Sequence, residues 1–382
     1  MSTIDARARE AVKSLGALTY RPGTPIEEVK RQFRLASVIK LASNENALGP
    51  SPKAIQALRK ACEDLHRYPD ASCAELKGLL AKQFKRDLSW FLVGNGSDEL
   101  IVLALRAFVD PGDEVVVADP TFLIYALQAK ASGANVISVP LNHLRYDLVK
   151  MRAAITPYTK LVFIANPDNP TGTYVTKREL EAFLEDLPDQ VIVFLDEAYY
   201  EFVDAKDYPN AVRYLDSASL IITRTFSKAY GLAGLRVGYG IARPSLIRAM
   251  DAVREPFNVN RLAQAAACAA LEDTAFLQRT RRMVRDGRRS LTQELARMGL
   301  RVVPSVANFL LVELGPNAAQ VAHQLLAQGV IVREMSAWKL DGFLRVTIGT
   351  MPENRRFIRA LKSVLGSRLK GVGKPLTLEP RT

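Results

Sequence analysis

The stretch Ser219-Leu220-Ile221-Ile222-Thr223-Arg224-Thr225-Phe226-Ser227-Lys228 decides how this chain is read, because an apolar run of strand length ends in hydroxyl side chains and a lysine. A segment bearing glycines and an arginine, Gly231-Leu-Ala-Gly234-Leu-Arg236-Val-Gly238, follows at once. An ammonium at the end of a buried strand is costly unless it is paired or gives up its proton, and an amine with a lowered pKa is a nucleophile. Two upstream segments share this build. Asn166-Pro-Asp-Asn169-Pro170-Thr171-Gly172 follows the run from Leu161 to Ala165, and Asp196-Glu-Ala-Tyr199 follows the run from Val191 to Leu195.

Outward from these three, short apolar runs alternate with amphipathic stretches from about residue 50 to 245, the pattern of a parallel sheet wrapped by helices. The predicted strands are Phe91–Val93, Glu114–Ala118, Asn135–Val139, Leu161–Ala165, Val191–Leu195, Ser219–Thr223 and Arg236–Ile241. Open α/β sheets bind ligands beyond the carboxyl ends of their strands, which is where the three polar segments fall. Ser51-Pro52 opens a predicted helix through Leu65, with a capping serine, proline at the first position and a core stripe of Ile55, Leu58, Cys62 and Leu65. Past about residue 245 the pattern changes to long helices, Ala263 to Met298 with a break near Glu272-Asp273. Strands follow near Arg301–Val303, Phe309–Glu313, Val330–Arg333 and Leu344–Ile348, which suits a smaller α+β domain. A chain of 382 residues with 48% hydrophobic content has apolar surface enough for two cores.

The three strand-end segments together point to pyridoxal 5'-phosphate. That cofactor needs an amine to bond its aldehyde, a carboxylate to keep its pyridine nitrogen protonated, and cationic and hydroxyl donors for its dianionic phosphate. Lys228, Asp196 and the group Thr225, Ser227 and Arg236 are of these types, and the phenol of Tyr199 is a partner for the ring oxygen. Gly94-Asn-Gly96-Ser97-Asp98-Glu99 follows a predicted strand and opens a helix through Phe108, so its amides form a ready phosphate site. A dinucleotide fingerprint competes for that segment, but Glu99 stands where it needs a third glycine. Capping by Ser97 without any ligand is the plainer alternative.

At this point the chain resembles the fold-type I, aspartate-aminotransferase-like family, and within it the histidinol-phosphate aminotransferase branch. The resemblance is carried by Leu41-Ala-Ser-Asn44-Glu45-Asn46, His66-Arg67-Tyr68-Pro69-Asp70, the Gly94 to Glu99 segment, the three strand-end segments and Phe343-Leu-Arg345-Val-Thr-Ile-Gly349. It implies a large cofactor-binding domain over 41–262 with a mostly parallel central sheet. A smaller α+β domain would be made of 1–40 and 263–382. It further implies that Asn169 bonds the ring oxygen, that Phe122 stacks on the pyridine ring, and that Gly96, Ser97 and Asp98 lie at the phosphate. Tyr68 would reach the phosphate of a neighbouring subunit, making a homodimer with a shared active site. Arg345 would bind the substrate carboxylate, with Asn46, Asn169, Arg333 and Tyr20 as further substrate contacts. The implied reaction moves an amino group from histidinol phosphate to 2-oxoglutarate, giving glutamate. Ala47-Leu48 departs from the Pro-Tyr frequent at that place in the family.

Two alternatives share every cofactor residue, an aromatic amino-acid aminotransferase and a threonine-phosphate decarboxylase. A third, the aminotransferase-like part of a transcription regulator, is prompted by the net charge of +12. Lys and Arg are interspersed with Glu and Asp along the helical segments, however, which reads as a solvated basic surface and not a nucleic-acid site. Cys62, Cys73 and Cys268 are an odd, scattered set without CxxC spacing, and the chain has only three histidines to assist them, so disulfides and a structural zinc site are not expected. No apolar stretch approaches membrane-helix length, the first ten residues lack a signal-peptide core, and a cytoplasmic protein is expected. The Gly/Pro-rich tail from Gly371 is expected to fray.

Overall fold

A computed structural model describes residues 5, 7–15 and 23–369. These divide into two compact units. The larger takes Glu45–Arg285 and Pro304–Asn308, together with residues 5 and 7–15, and the smaller takes 23–44, Asp286–Val303 and 309–369.

Strands are numbered in chain order, and β1 (Ile39–Leu41) belongs to the smaller unit. The larger unit holds β2 (Phe91–Gly94), β3 (Glu114–Asp119), β4 (Asn135–Pro140), β5 (Thr159–Ala165), β6 (Ile192–Asp196), β7 (Leu220–Thr225) and β8 (Gly238–Ala242). They form one sheet in the order β2-β8-β7-β6-β5-β3-β4. Only β8 runs against its neighbours. Every residue of β6, β7 and β8 is buried, which is why Ile192–Leu195 and Leu220–Ile222 are continuous apolar runs and not alternating ones, while the buried Arg224 of β7 is paired with Glu197 at 2.8 Å. The predicted start of the last strand at Arg236 is corrected to Gly238. Arg236 takes a left-handed φ of 56°, which no extended strand accommodates.

The helix Pro52–Ala61 begins as predicted, with the Ala54 N–H donating to Ser51 Oγ and proline at the first turn. Its expected core stripe is not observed. Ala54 is buried, whereas Cys62 and Leu65 are exposed. The α-helix stops at Ala61 and tightens into a 3-10 turn over Cys62–Asp64, so the 3.6-residue period that would align Cys62 and Leu65 with Ile55 and Leu58 is lost. The face that is covered packs on the alanine-rich helix Arg261–Leu271. That helix belongs to the larger unit, which continues to Arg285.

The smaller unit holds β1, β9 (Arg301–Val303), β10 (Phe309–Glu313), β11 (Val330–Glu334) and β12 (Phe343–Thr347), in the order β1-β11-β12-β10-β9. β1 lies parallel to β11 and the other pairs are antiparallel. β1 is a strand of this sheet, and the smaller unit continues to Asn44. Residues 23–40 group with the smaller unit. Residues 5 and 7–15 group with the larger unit, where the Arg9 guanidinium donates to Ala131 O at 2.6 Å. Tyr20 and the tail from Gly371 lie outside the described residues. Among the described residues no helix is long and apolar enough to cross a membrane.

Candidate active site

The larger sheet brings its polar ends to one edge. Ala165 pairs with Asp196, Asp196 with Thr223, and Thr225 with Gly238, while Gly94 pairs with Gly238 from the other side. The segments leading to Asn169, Tyr199, Lys228 and Ser97 therefore all leave the sheet from neighbouring strand ends.

Asp196, 6% exposed, closes β6. Its Oδ2 accepts the Tyr125 hydroxyl at 2.7 Å, and its Oδ1 accepts the Ala198 N–H at 3.1 Å and the Thr223 hydroxyl at 3.4 Å. Burial, reinforced by the charge of Asp98, pushes this carboxyl up to about 6 against the pull of those donors. Among the described residues, the donors that bond it are a phenol, a hydroxyl and a backbone N–H, all neutral, and a buried carboxylate so held favours a cationic partner. Tyr125 was not singled out from the sequence, although its place one helical turn beyond Phe122 was a usable signal. The Tyr125 ring stacks on Phe163 with centroids 4.8 Å apart, and Phe122 meets it edge-on at 5.5 Å. Phe122 is half-buried.

Lys228 is half-buried, with its Nζ 5.9 Å from the centroid of the buried Tyr199 ring. The backbone beside it is braced by Asn46, whose Nδ2 donates to Ala229 O at 2.9 Å and to Thr280 Oγ1 at 3.2 Å. Both N–H donors of Asn46 are thus engaged within the larger unit, and its nearer role is to hold the lysine segment. Asn169 is half-buried in the loop after β5.

The third cluster is an anion cradle. Gly96 caps the helix Ser97–Phe108 with φ 82°, and no side chain caps that end, so the alternative of a Ser97 cap does not hold. Arg236 lies against it, with Nη1 3.3 Å from Ser227 Oγ and Nη2 3.1 Å from Asp98 Oδ2. A Cβ on Gly96 would come within 2.5 Å of Arg236 Nη2, and one on Gly238 within 2.8 Å of the Ser97 nitrogen. Two missing side chains therefore let a guanidinium, a helix N-terminus and the hydroxyl-bearing end of β7 converge. The Ser227 N–H is turned onto Thr225 Oγ1 at 3.1 Å. Amine, buried acid and anion cradle are the donor set that pyridoxal phosphate demands, and the residues fit it.

Tyr68 is 78% exposed and stacks on Phe257 at 4.5 Å, and its carbonyl accepts from Arg261 at 3.0 Å. In the smaller unit, Arg333 and Arg345 face each other across β11 and β12. Arg345 is 6% exposed, donates to Ala42 O at 2.9 Å, and lies 5.4 Å from the Phe309 ring centroid and 5.7 Å from that of Trp338. Arg333 lies 5.1 Å from the same indole. Trp338, absent from the sequence reading, is the flat plate that holds two guanidiniums side by side.

The aminotransferase class I and II family model matches residues 36–361. The histidinol-phosphate aminotransferase of Moorella thermoacetica is 49% identical over 361 residues, covering 94% of this chain and 93% of the relative. A crystal structure of the histidinol-phosphate aminotransferase of Sinorhizobium meliloti, in complex with pyridoxal-5'-phosphate, superposes with a TM-score of 0.86 at 29% identity, covering 96% of this chain and 99% of that one. A double mutant of Thermus thermophilus aspartate aminotransferase shares the fold, with a TM-score of 0.79 at 25% identity over 95% of this chain and all of that one.

Proposed function

The chain belongs to the class I and II aminotransferase family, and from that premise we propose that it is a pyridoxal-phosphate-dependent histidinol-phosphate aminotransferase. It moves the amino group of histidinol phosphate to 2-oxoglutarate, yielding imidazole acetol phosphate and glutamate. The observation that carries the reading is the buried, cation-seeking carboxylate of Asp196 beside the strand that leads to Lys228. The substrate follows the name shared by relatives that span more than nine-tenths of the chain.

Bound pyridoxal phosphate supplies an aldehyde that captures the substrate amine and a ring that accepts the electrons of its Cα–H bond. Lys228 would bond the cofactor's aldehyde, and its amine would move the proton at the substrate Cα. Asp196 keeps the pyridine nitrogen protonated. Gly96, Ser97, Asp98, Thr225, Ser227 and Arg236 bind the phosphate, Phe122 stacks on the ring, and Asn169 and Tyr199 hold the ring oxygen. Arg345 and Arg333 bind the carboxylate of glutamate and the phosphate of histidinol phosphate in turn, since a guanidinium fork suits both anions.

The active enzyme is a homodimer in which Tyr68 completes the partner's site. Support comes from the exposed Tyr68 and Phe257, whose rings stack 4.5 Å apart on the larger unit and which a lone subunit would leave in water. The reaction is placed in the cytoplasm, in keeping with three free cysteines.

The test is the purified protein loaded with pyridoxal phosphate and supplied with 2-oxoglutarate. Histidinol phosphate should give glutamate with kcat/KM on the order of 100-fold above phenylalanine or tyrosine. A preference for phenylalanine would overturn the substrate assignment.

A further inference from the structure

Among the buried acids that have no part in the reaction as described, one stands next to a proposed cofactor residue. Asp168 is fully buried in the loop that carries Asn169. Its Oδ1 accepts the Thr121 hydroxyl at 2.9 Å, and its Oδ2 accepts the Thr171 hydroxyl at 2.7 Å and the Thr171 N–H at 3.2 Å. Thr121 Oγ1 lies 2.5 Å from the Tyr146 hydroxyl, and Tyr146 Oη accepts the Ala165 N–H at 3.2 Å.

The hydrogens of this chain have one consistent order. The proton of Thr121 is given to the carboxylate, so Tyr146 must donate to Thr121, and Tyr146 receives in turn from the β5 backbone. Burial pushes Asp168 up to about 6, below neutrality, so the acceptor form that this order requires prevails at pH 7. The backbone repeats the tie, with the Asp168 N–H on Thr173 O at 2.8 Å and the Gly172 N–H on Asp168 O at 2.9 Å.

Thr121 immediately precedes Phe122, and Asp168 immediately precedes Asn169. One carboxylate therefore joins the two loops that carry the proposed ring-stacking and ring-oxygen residues. We infer that Asp168 is a positioning residue, which through Thr121 and Thr171 fixes the loops of Phe122 and Asn169 relative to each other before the cofactor arrives. The inference rests on the pyridoxal phosphate reading for its consequence but not for the tie itself.

The tie is read in the protein without cofactor, by hydrogen exchange of peptides covering 119–124 and 166–173, with the strands 192–196 and 220–225 as internal references. Asp168→Leu keeps the branched shape of the side chain, though with more bulk, and removes the acceptors. It should speed exchange in both loops together by about tenfold, leave the reference strands unchanged, and weaken pyridoxal phosphate binding by about tenfold. Asp168→Asn retains one acceptor and should keep exchange and binding within about threefold of wild type. Faster exchange everywhere, in neither loop, or in only one of them would overturn the inference, as would an asparagine variant no better than leucine. A wild-type protein that fails to bind pyridoxal phosphate while the loops still loosen together would instead refute the cofactor reading and leave the tie standing.

Discussion

The hydroxyl of Tyr125 donates to Oδ2 of Asp196 over 2.7 Å, joining the helix that follows β3 to the end of β6 inside a fully buried aromatic stack. A charged acceptor bonded by a buried phenol is held in one rotamer, and the same bond stabilises its anion. Tyr125→Phe deletes only that bond and preserves the stacking on Phe163. Loss of one hydrogen bond to a buried charge corresponds to about 1.5–3 kcal/mol, so the variant should bind pyridoxal phosphate at least about tenfold more weakly while remaining folded. Titration of the apo-protein by fluorescence checks this, and an unchanged dissociation constant would contradict it.

The raised pKa of Asp196 has a definite sign in stability. The folded carboxyl holds its proton up to about 6, and the unfolded one only up to about 3.9. The native state binds more protons between those values, so stability falls as pH rises through that window and stays reduced above it. In the apo-protein, Asp196→Asn should be worth on the order of 2 kcal/mol of extra stability at pH 7 and close to nothing near pH 4. Saturating pyridoxal phosphate should reverse the ranking at pH 7, because the wild-type carboxylate then has its cation. Urea denaturation at the two pH values, with and without cofactor, makes the comparison.

Gly96 is required by geometry twice over, through its positive φ and through the 2.5 Å approach of Arg236 Nη2 to where a Cβ would stand. Gly96→Ala should push the guanidinium off the helix N-terminus and reduce cofactor affinity by about tenfold or more. Inorganic phosphate should lose its ability to compete with pyridoxal phosphate in parallel. A variant with unaltered phosphate competition would remove the cradle from the account.

Arg345 is fixed by the Ala42 carbonyl and by the rings of Phe309 and Trp338, an arrangement that a lysine cannot copy. Arg345→Lys should raise KM for glutamate by between about tenfold and a hundredfold, with a smaller effect on kcat. Steady-state kinetics with both amino donors measures it, and a kcat loss at constant KM would assign the residue a different part.

The seven-stranded sheet was legible because its central strands β5, β6 and β7 carry short apolar runs that polar residues follow, and the candidate site because those polar residues are of complementary chemical types. What the sequence hid depends on contacts between distant residues. Tyr125 and Trp338 look like ordinary core aromatics until their partners are known. Arg236 reads as the start of a strand, yet its left-handed backbone is what turns the guanidinium toward Gly96. The stripe through Cys62 and Leu65 obeyed the helical period, but the helix ended first, and a period cannot report where a 3-10 turn begins.

The account stands most directly on the identity of the lysine that holds the cofactor. Sodium borohydride reduction of the loaded protein, followed by proteolysis and mass spectrometry, should place a phosphopyridoxyl group on the peptide containing Lys228 and on no other. An adduct on a different lysine, or none at all under conditions of saturating pyridoxal phosphate, would contradict it.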